Sequence, residues 1–295
     1  MNQPFDEPLR MAVIGDVHRF WDDEDNRYFD QSDYDLVLFV GDLAGYTHRG
    51  GLDVARRIAR LQKPALVIPG NHDAVHALQL GSEVFDAASG LRERLGGRQT
   101  YRVEALRSAL GNAELGGYSQ HRFVFRGRPL NVVCARPHSV GGPRLAFARY
   151  LRAAFGVESI EDSATKIESL IVGCDDAPIV VLAHNGPNGL GAHGNDIWGA
   201  DFREGLGDWG DPDLAFAIER ARRAKKNVVT VIAGHMHLRT RAGKDRPPRV
   251  DRDGLLYINA ARVPRHRIFD EVLKRHHVRL ELDVEGNVET SEHWV

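Results

Sequence analysis

The sequence predicts an α/β fold, and three observations carry that prediction. Short apolar runs recur along the 295 residues, each closing on Gly, His or Asp. They are rich in Val, Ile and Leu and do not alternate with polar residues, which is the pattern of strands buried on both faces. Between several of them lie stretches with apolar residues at helical spacing.

Taken in order, residues 11–14 and 36–40 read as the first two strands. Residues 52–61 read as a helix and 65–68 as the next strand. Further strands are predicted at 130–134, 179–183 and 228–233. The spacing predicts a helix over 163–172, with Asp162 or Ser163 available as its cap. Asp211-Pro212 opens another over 213–225, a capping residue followed by proline at the first helical position. The C-terminal stretch changes character. Residues 277–284 alternate polar and apolar, Glu285-Gly286-Asn287 is a turn signal, and 288–294 can pair back as a hairpin. With no repeat, low-complexity tract or Ser/Pro linker, one α/β domain over residues 1–295 is expected. Two segments are too long for plain connections. One is 185–209, rich in Gly and carrying His193, Asp196, Trp198 and Trp209; the other is the basic, proline-containing 239–253. Both are expected as loop insertions bordering the site, the first as a lid or a surface that stacks a ring.

Composition excludes several classes. The chain is 42% hydrophobic and 27% charged, with a net charge of −2. That leaves no electrostatic footprint for bulk nucleic-acid or membrane binding. The basic run 220–226 falls on a predicted helix and reads as a solvated face. Two cysteines, Cys134 and Cys174, are too few for a disulfide framework. The N-terminal MNQPFDEPLR has no basic segment followed by an apolar stretch, and no apolar run reaches the length of a bilayer. A cytoplasmic protein is expected.

Five polar clusters follow the predicted strands: Gly15-Asp16-Val17-His18, Gly41-Asp42, Gly70-Asn71-His72-Asp73, Ala183-His184-Asn185 and Gly234-His235-Met236-His237. In open α/β sheets, ligands bind outside the carboxyl ends of strands. Alone, each cluster has a plain explanation as turn chemistry, a helix cap or a core histidine. His235 and His237 are the strongest pair, because alternate positions of an extended segment face one side. Together they offer oxygen and imidazole donors without a thiolate. That set suits Mn, Fe, Zn, Co or Ni rather than a structural zinc. Seven donors are too many for one tetrahedral ion and fit two ions that share a carboxylate.

In this order the clusters GDVH, GD, GNHD, AH and GHMH resemble the calcineurin-like metallophosphoesterase superfamily, over residues 15–237. The resemblance implies a four-layer α/β/β/α sandwich with two central mixed β-sheets and the metals at the strand tips. It implies Asp16, His18 and His237 on one metal, Asn71, His184 and His235 on the other, and Asp42 bridging both. His72 would stay free as general acid, with Asp73 orienting it. The implied cofactors are two divalent transition-metal ions, manganese first, with Fe, Zn, Co or Ni as alternatives. The implied reaction is hydrolysis of a small-molecule phosphoester by a metal-activated water, with phosphodiesters favoured. A phosphomonoesterase acting on a small phosphorylated metabolite is one alternative. A non-catalytic binding module of the same fold is another, and nucleic acid is disfavoured as substrate.

The sequence departs from one branch of that superfamily. Purple acid phosphatases carry a metal-binding tyrosine where Gly45 stands here, and Tyr46 comes one residue late. Tyr46 is therefore expected to pack or to line the pocket. His76 lies four residues after His72 on a presumed helix and would share its face. Arg136, His138 and Asn185, at strand ends, are candidate substrate contacts, since arginine suits phosphate recognition. Arg262 and Arg265 follow another strand tip and are weaker candidates.

Overall fold

The apolar runs form strands whose parallel pairing builds two sheets. The computed structural model describes residues 7–85, 87–203 and 205–295. In the first sheet, β1 (Leu9–Ile14), β2 (Leu36–Phe39), β3 (Ala65–Val67) and β4 (Glu114–Leu115) run parallel in that order. β12 (Val272–Leu282) pairs antiparallel with β1, and β11 (His266–Phe269) and β13 (Val288–Trp294) both pair with β12. The second sheet has the order β5 (Ser119–Phe125), β6 (Arg128–Cys134), β7 (Ile179–Leu182), β8 (Val228–Ala233), β10 (Leu255–Asn259), β9 (Arg249–Arg252). Its four inner strands are parallel and its two edge strands antiparallel. Both sheets are thus mixed, as expected.

Because side chains alternate along a strand, each sheet has two apolar faces to bury. Leu9, Met11, Val13, Leu36, Leu38 and Leu66 of the first sheet pack against Leu130, Val132, Val180, Leu182, Ile232 and Ile258 of the second. The opposite faces meet helices. α1 (Asp23–Gln31), α2 (Gly51–Ile58) and α5 (Gln99–Leu110) cover the first sheet through residues such as Phe29, Ile58 and Leu106. α7 (Ile160–Val172) and α8 (Pro212–Arg223) cover the second through Ile167, Ile171, Leu214 and Ala217. The result is the expected α/β/β/α layering. Between these elements lie α3 (Ala77–Val84), α4 (Ser89–Leu95) and α6 (Ala148–Phe155). Among the described residues, no helix is long and apolar enough to cross a membrane.

Several element ends differ from expectation, each for a local reason. α7 begins before 163, because Ser159 is its cap: Ser159 Oγ accepts from the Asp162 amide (3.0 Å) and the Asp162 carboxylate accepts from the Glu158 amide (3.1 Å). Asp211 precedes α8 but makes no capping hydrogen bond, since its carboxylate is engaged elsewhere. His76 is the cap of α3, accepting from the Gln79 amide (3.1 Å), so it shares no helical face with His72. The C-terminal hairpin pairs as predicted, Leu282 opposite Val288, but β12 starts at Val272 rather than 277.

Candidate metal centre

Each polar cluster follows directly on a strand: β1 runs into Asp16, β2 into Asp42, β3 into the turn 70–73, β7 into His184, and β8 into His235 and His237. Level registers bring these tips to one edge of the sandwich: Ile14 lies opposite Phe39, Phe39 opposite Val67, and Leu182 opposite Ile232. Contacts between the sheets pin that edge. His184 Nδ1–H donates to Val40 O (2.6 Å), and the His235 amide donates to Asp16 Oδ1 (3.1 Å).

The turns carry backbone strain. His18, Asp42 and His235 have φ of 41°, 50° and 64°, a region that side chains with a Cβ disfavour. Such residues concentrate at functional sites. Close approach makes Gly70 obligatory: a Cβ there would meet Asp42 Oδ1 and come within 2.6 Å of His184 Cε1. We expect Gly70→Ala to displace both side chains and to lose bound divalent metal, read by elemental analysis after dialysis. Full metal retention would contradict this geometry.

Two donor groups result. The ligand atoms of Asp16, His18 and His237 lie within 4.8 Å of one another, as do those of Asp42, His184 and His235. Asn71 Oδ1 joins the second group, 2.8 Å from His184 Nε2. Asp42 faces both, with Oδ2 3.8 Å from His18 Nε2 and Oδ1 3.6 Å from His184 Nε2.

Hydrogen bonding shows what this centre is built to hold. A carbonyl only accepts, so His18 Nδ1–H donates to Ala44 O (3.1 Å), as His184 Nδ1–H does to Val40 O. In the neutral rings the Nε2 lone pairs then point inward. His18 Nε2 meets His237 Nε2 at 3.2 Å, and His184 Nε2 meets the asparagine carbonyl oxygen. Asp16 Oδ2 is buried without a hydrogen bond, 3.2 Å from His237 Nε2. Carboxylate, amide and imidazole atoms of ligand type converge here, and a cation between them would satisfy the unpaired Asp16 Oδ2. Imidazoles anchored through Nδ1–H to backbone carbonyls are the arrangement that orients metal ligands.

Charge agrees with geometry. Burial opposes ionisation of Asp42, but the His184, His72 and His18 imidazoles hold its carboxyl well below the usual range. Asp16 is also held low, by its His237 contact against the cost of burial. Burial pushes His235 down to about 3, keeping it a neutral donor. It opposes the charged form of His184 too, yet the Asp42 and Asp16 carboxylates lift that group above its ordinary value. Two buried carboxylates thus stay ionised and attract cations.

A family model for calcineurin-like phosphoesterases matches residues 9–239. The chain belongs to the calcineurin-like phosphoesterase family. This phosphoesterase shares its fold with TT1561 of Thermus thermophilus, at 11% identity over 96% of this chain and 98% of that one, with a TM-score of 0.51. Another solved structure matches at 12% identity over 97% and 99%, with a TM-score of 0.53. A metallophosphoesterase from Sphaerobacter thermophilus is 16% identical over 98% and 88%, with a TM-score of 0.38. At these identities the first two likenesses are ones of fold alone. No curated protein matches the sequence. The family's centre is binuclear and divalent, and the two donor groups are the candidates for it here.

At the rim of this phosphoesterase's centre lies His72. Its amide donates to Asp42 Oδ1 (2.8 Å), while its buried ring Nδ1 has no hydrogen-bond partner. Burial lowers the His72 pKa. Asp73 does not orient it, which corrects the sequence reading. The Asp73 carboxylate accepts from the Ala44 amide (3.0 Å) and the Gly70 amide (2.9 Å), tying together the two loops that carry Asp42 and Asn71.

The three candidate substrate contacts are corrected as well. Arg136, His138 and Asn185 are all buried. Arg136 pairs with Asp213 through Nε (2.9 Å) and Nη2 (3.1 Å), and with Asp211 (2.9 Å). Asn185 Nδ2 donates to Trp209 O and Asp211 Oδ1. His138 Nδ1–H donates to Gly70 O (2.9 Å), bracing the GNHD turn from behind. Arg265 is buried against Asp25 and Arg262 pairs with Glu292, so neither is free for phosphate. The expected lid residues are engaged within the protein: Asp196 accepts from the Ala192 and His193 amides, Trp198 is buried against Gly186, and Trp209 Nε1–H donates to Val140 O of another segment.

The buried Arg136 cluster has a consequence for stability. One arginine faces two carboxylates, and burial pushes the Asp211 carboxyl up to about 7, with Arg136 opposing and Asp213 adding. A carboxyl raised in the fold contributes stability while protonated. That contribution is present at acid pH and is lost as pH rises from about 4 through about 7. Ser139, Asn185 and Arg136 all meet Asp211 at Oδ1, so asparagine mimics the protonated acid. Asp211→Asn is expected to flatten this decline in melting temperature. A decline of wild-type steepness in the variant would contradict the assignment.

Two residues of the site were not found from sequence. His48 stacks on His72 at 4.7 Å and 22°. Nothing in the loop after Asp42 announces it. Arg246, nearly fully buried, donates from Nε to His237 O (3.1 Å) and from Nη1 to Gly194 O and Asp196 O, and pairs with Asp201 (3.0 Å). It ties both long loops to the backbone of a candidate ligand. Its only signal was a place in a loop expected to border the site.

Proposed function

We propose that this chain hydrolyses phosphoesters, with phosphodiesters as the preferred class. The observation that carries the reading is the convergence of acceptors around Asp42, one oxygen toward each donor group. Asp16, His18 and His237 would hold one divalent ion, Asn71, His184 and His235 the other, with Asp42 shared. When bound, two such ions supply positive charge for the phosphoryl oxygens and make water a nucleophile near neutral pH. The chain's own residues supply the rest. Asp42, with both oxygens directed inward, fixes the spacing of the two donor groups. Asp73 and His138 hold the GNHD turn, so Asn71 and His72 keep their aim. His72, held beside Asp42 by its backbone amide, is the residue that donates the proton the leaving alkoxide needs.

Two further observations support finer points. A monoester dianion calls for an added cation, and Arg136, the arginine best placed in sequence for that task, is consumed by Asp211 and Asp213. This favours the singly charged diester. Donors of oxygen and nitrogen without thiolate suit manganese, iron, zinc, cobalt or nickel, of which manganese is the ion proposed first. Two buried free cysteines fit a reducing, cytoplasmic setting. The reading is tested by turnover of bis(aryl) phosphate beside aryl phosphate with manganese added. Faster turnover of the diester is expected. Preference for the monoester would reverse the class, and a protein holding two metals that turns over no phosphoester would be a binding module.

A further inference from the structure

The loop after Asp42 carries a tyrosine with no part in the reaction described above. Tyr46 is 59% exposed. One face of its ring stacks on His18 at 4.3 Å and 24°, so the other face turns away from the donor groups. Its edge meets His72 at 5.7 Å and 90° and His237 at 6.2 Å. The ring therefore stands beside the proposed proton donor. A tight turn holds it there: the Gly45 amide donates to Arg49 O (3.1 Å) and the His48 amide to Gly45 O (2.7 Å). His48 stacks flat on His72, so the rim is a corner of two flat surfaces, the tyrosine at right angles to His72.

A rigid aromatic ring with one face supported and one face open gains most from a second flat ring laid against it. We propose that Tyr46 is a specificity-determining platform, and that the leaving group of the preferred substrate carries a planar aromatic ring close to the ester oxygen. This deepens the phosphoesterase reading and rests on it. The tyrosine acts on the choice of leaving group and leaves the metal donors and the proton donor as assigned.

The test uses the manganese-loaded full chain. Binding of the methyl esters of phenethylphosphonate and cyclohexylethylphosphonate is measured by calorimetry. Their P–C bond, which replaces the scissile ester of the aromatic group, is not hydrolysed, and the two match in size, so they separate a flat ring from a merely apolar one. Turnover of benzyl methyl phosphate and cyclohexylmethyl methyl phosphate is measured alongside. Wild type is expected to bind the phenyl compound about fivefold more tightly, equivalent to about 1 kcal/mol. Tyr46→Phe should keep that ratio, and Tyr46→Leu should bring it to about one with metal content unchanged. The ratio is internal to each variant, so a partial loss of metal in Tyr46→Leu does not disguise it. Absence of the preference in wild type, or its survival in Tyr46→Leu, overturns the platform while leaving hydrolysis intact. A two-metal protein that turns over neither ester, nor bis(aryl) phosphate, nor aryl phosphate overturns the hydrolase reading and this one with it.

Discussion

Asp42→Asn is expected to be the most damaging single change in the chain, lowering kcat/KM at least about a thousandfold, or about 4 kcal/mol of transition-state stabilisation. Asp42 turns one oxygen to His18 and the other to His184, and Oδ1 also receives the His72 amide. An asparagine in either orientation turns an NH2 toward one donor group, where it hydrogen-bonds an imidazole lone pair instead of leaving an acceptor for a cation. It also removes one of the two buried negative charges that make the site attractive to metal. Metal content should fall from two ions to one or none while the far-ultraviolet circular dichroism stays native. Wild-type metal content and activity in this variant would mean that Asp42 does not bridge.

His72→Ala should separate chemistry from metal binding. The ring makes no hydrogen bond through Nδ1, and the contact to Asp42 comes from the backbone amide, which alanine retains. Both ions should therefore remain. Activity should fall about a hundredfold to ten-thousandfold on esters with poor leaving groups, the range spanned by general acids. The loss should shrink for a nitrophenolate, which departs without a proton. Plotting kcat/KM against leaving-group acidity for wild type and variant reads this directly: a steeper slope is expected in the variant. Unchanged activity on a poor leaving group would remove His72 from the mechanism.

What could be read from sequence divides along a physical line. Parallel strands buried on both faces leave an unbroken apolar run, and the chain must turn at each tip. The positions of Asp16, Asp42, Asn71, His184, His235 and His237 were therefore legible together, as was the C-terminal hairpin, whereas the four-layer arrangement was implied by the family resemblance alone. Partnerships across long separations were not. Arg136 at a strand end looked free for phosphate, because its partners Asp211 and Asp213 lie far along the chain. The same pairing diverts Asp211 from capping α8, a local signal overridden by a tertiary one. Asp73 follows His72 in sequence, yet its carboxylate turns back to amides at Gly70 and Ala44. His48 reaches His72 through a loop whose path no periodicity encodes.

On the proposed reading, the donors at these strand tips would hold two divalent ions, and this chain would hydrolyse phosphoesters with their help. The most direct test of that claim is turnover of bis(p-nitrophenyl) phosphate by metal-stripped protein titrated with manganese. Activity should rise with added metal and level off at two equivalents per chain. A protein that binds two equivalents and leaves this ester intact, together with every other phosphoester offered, would contradict the claim.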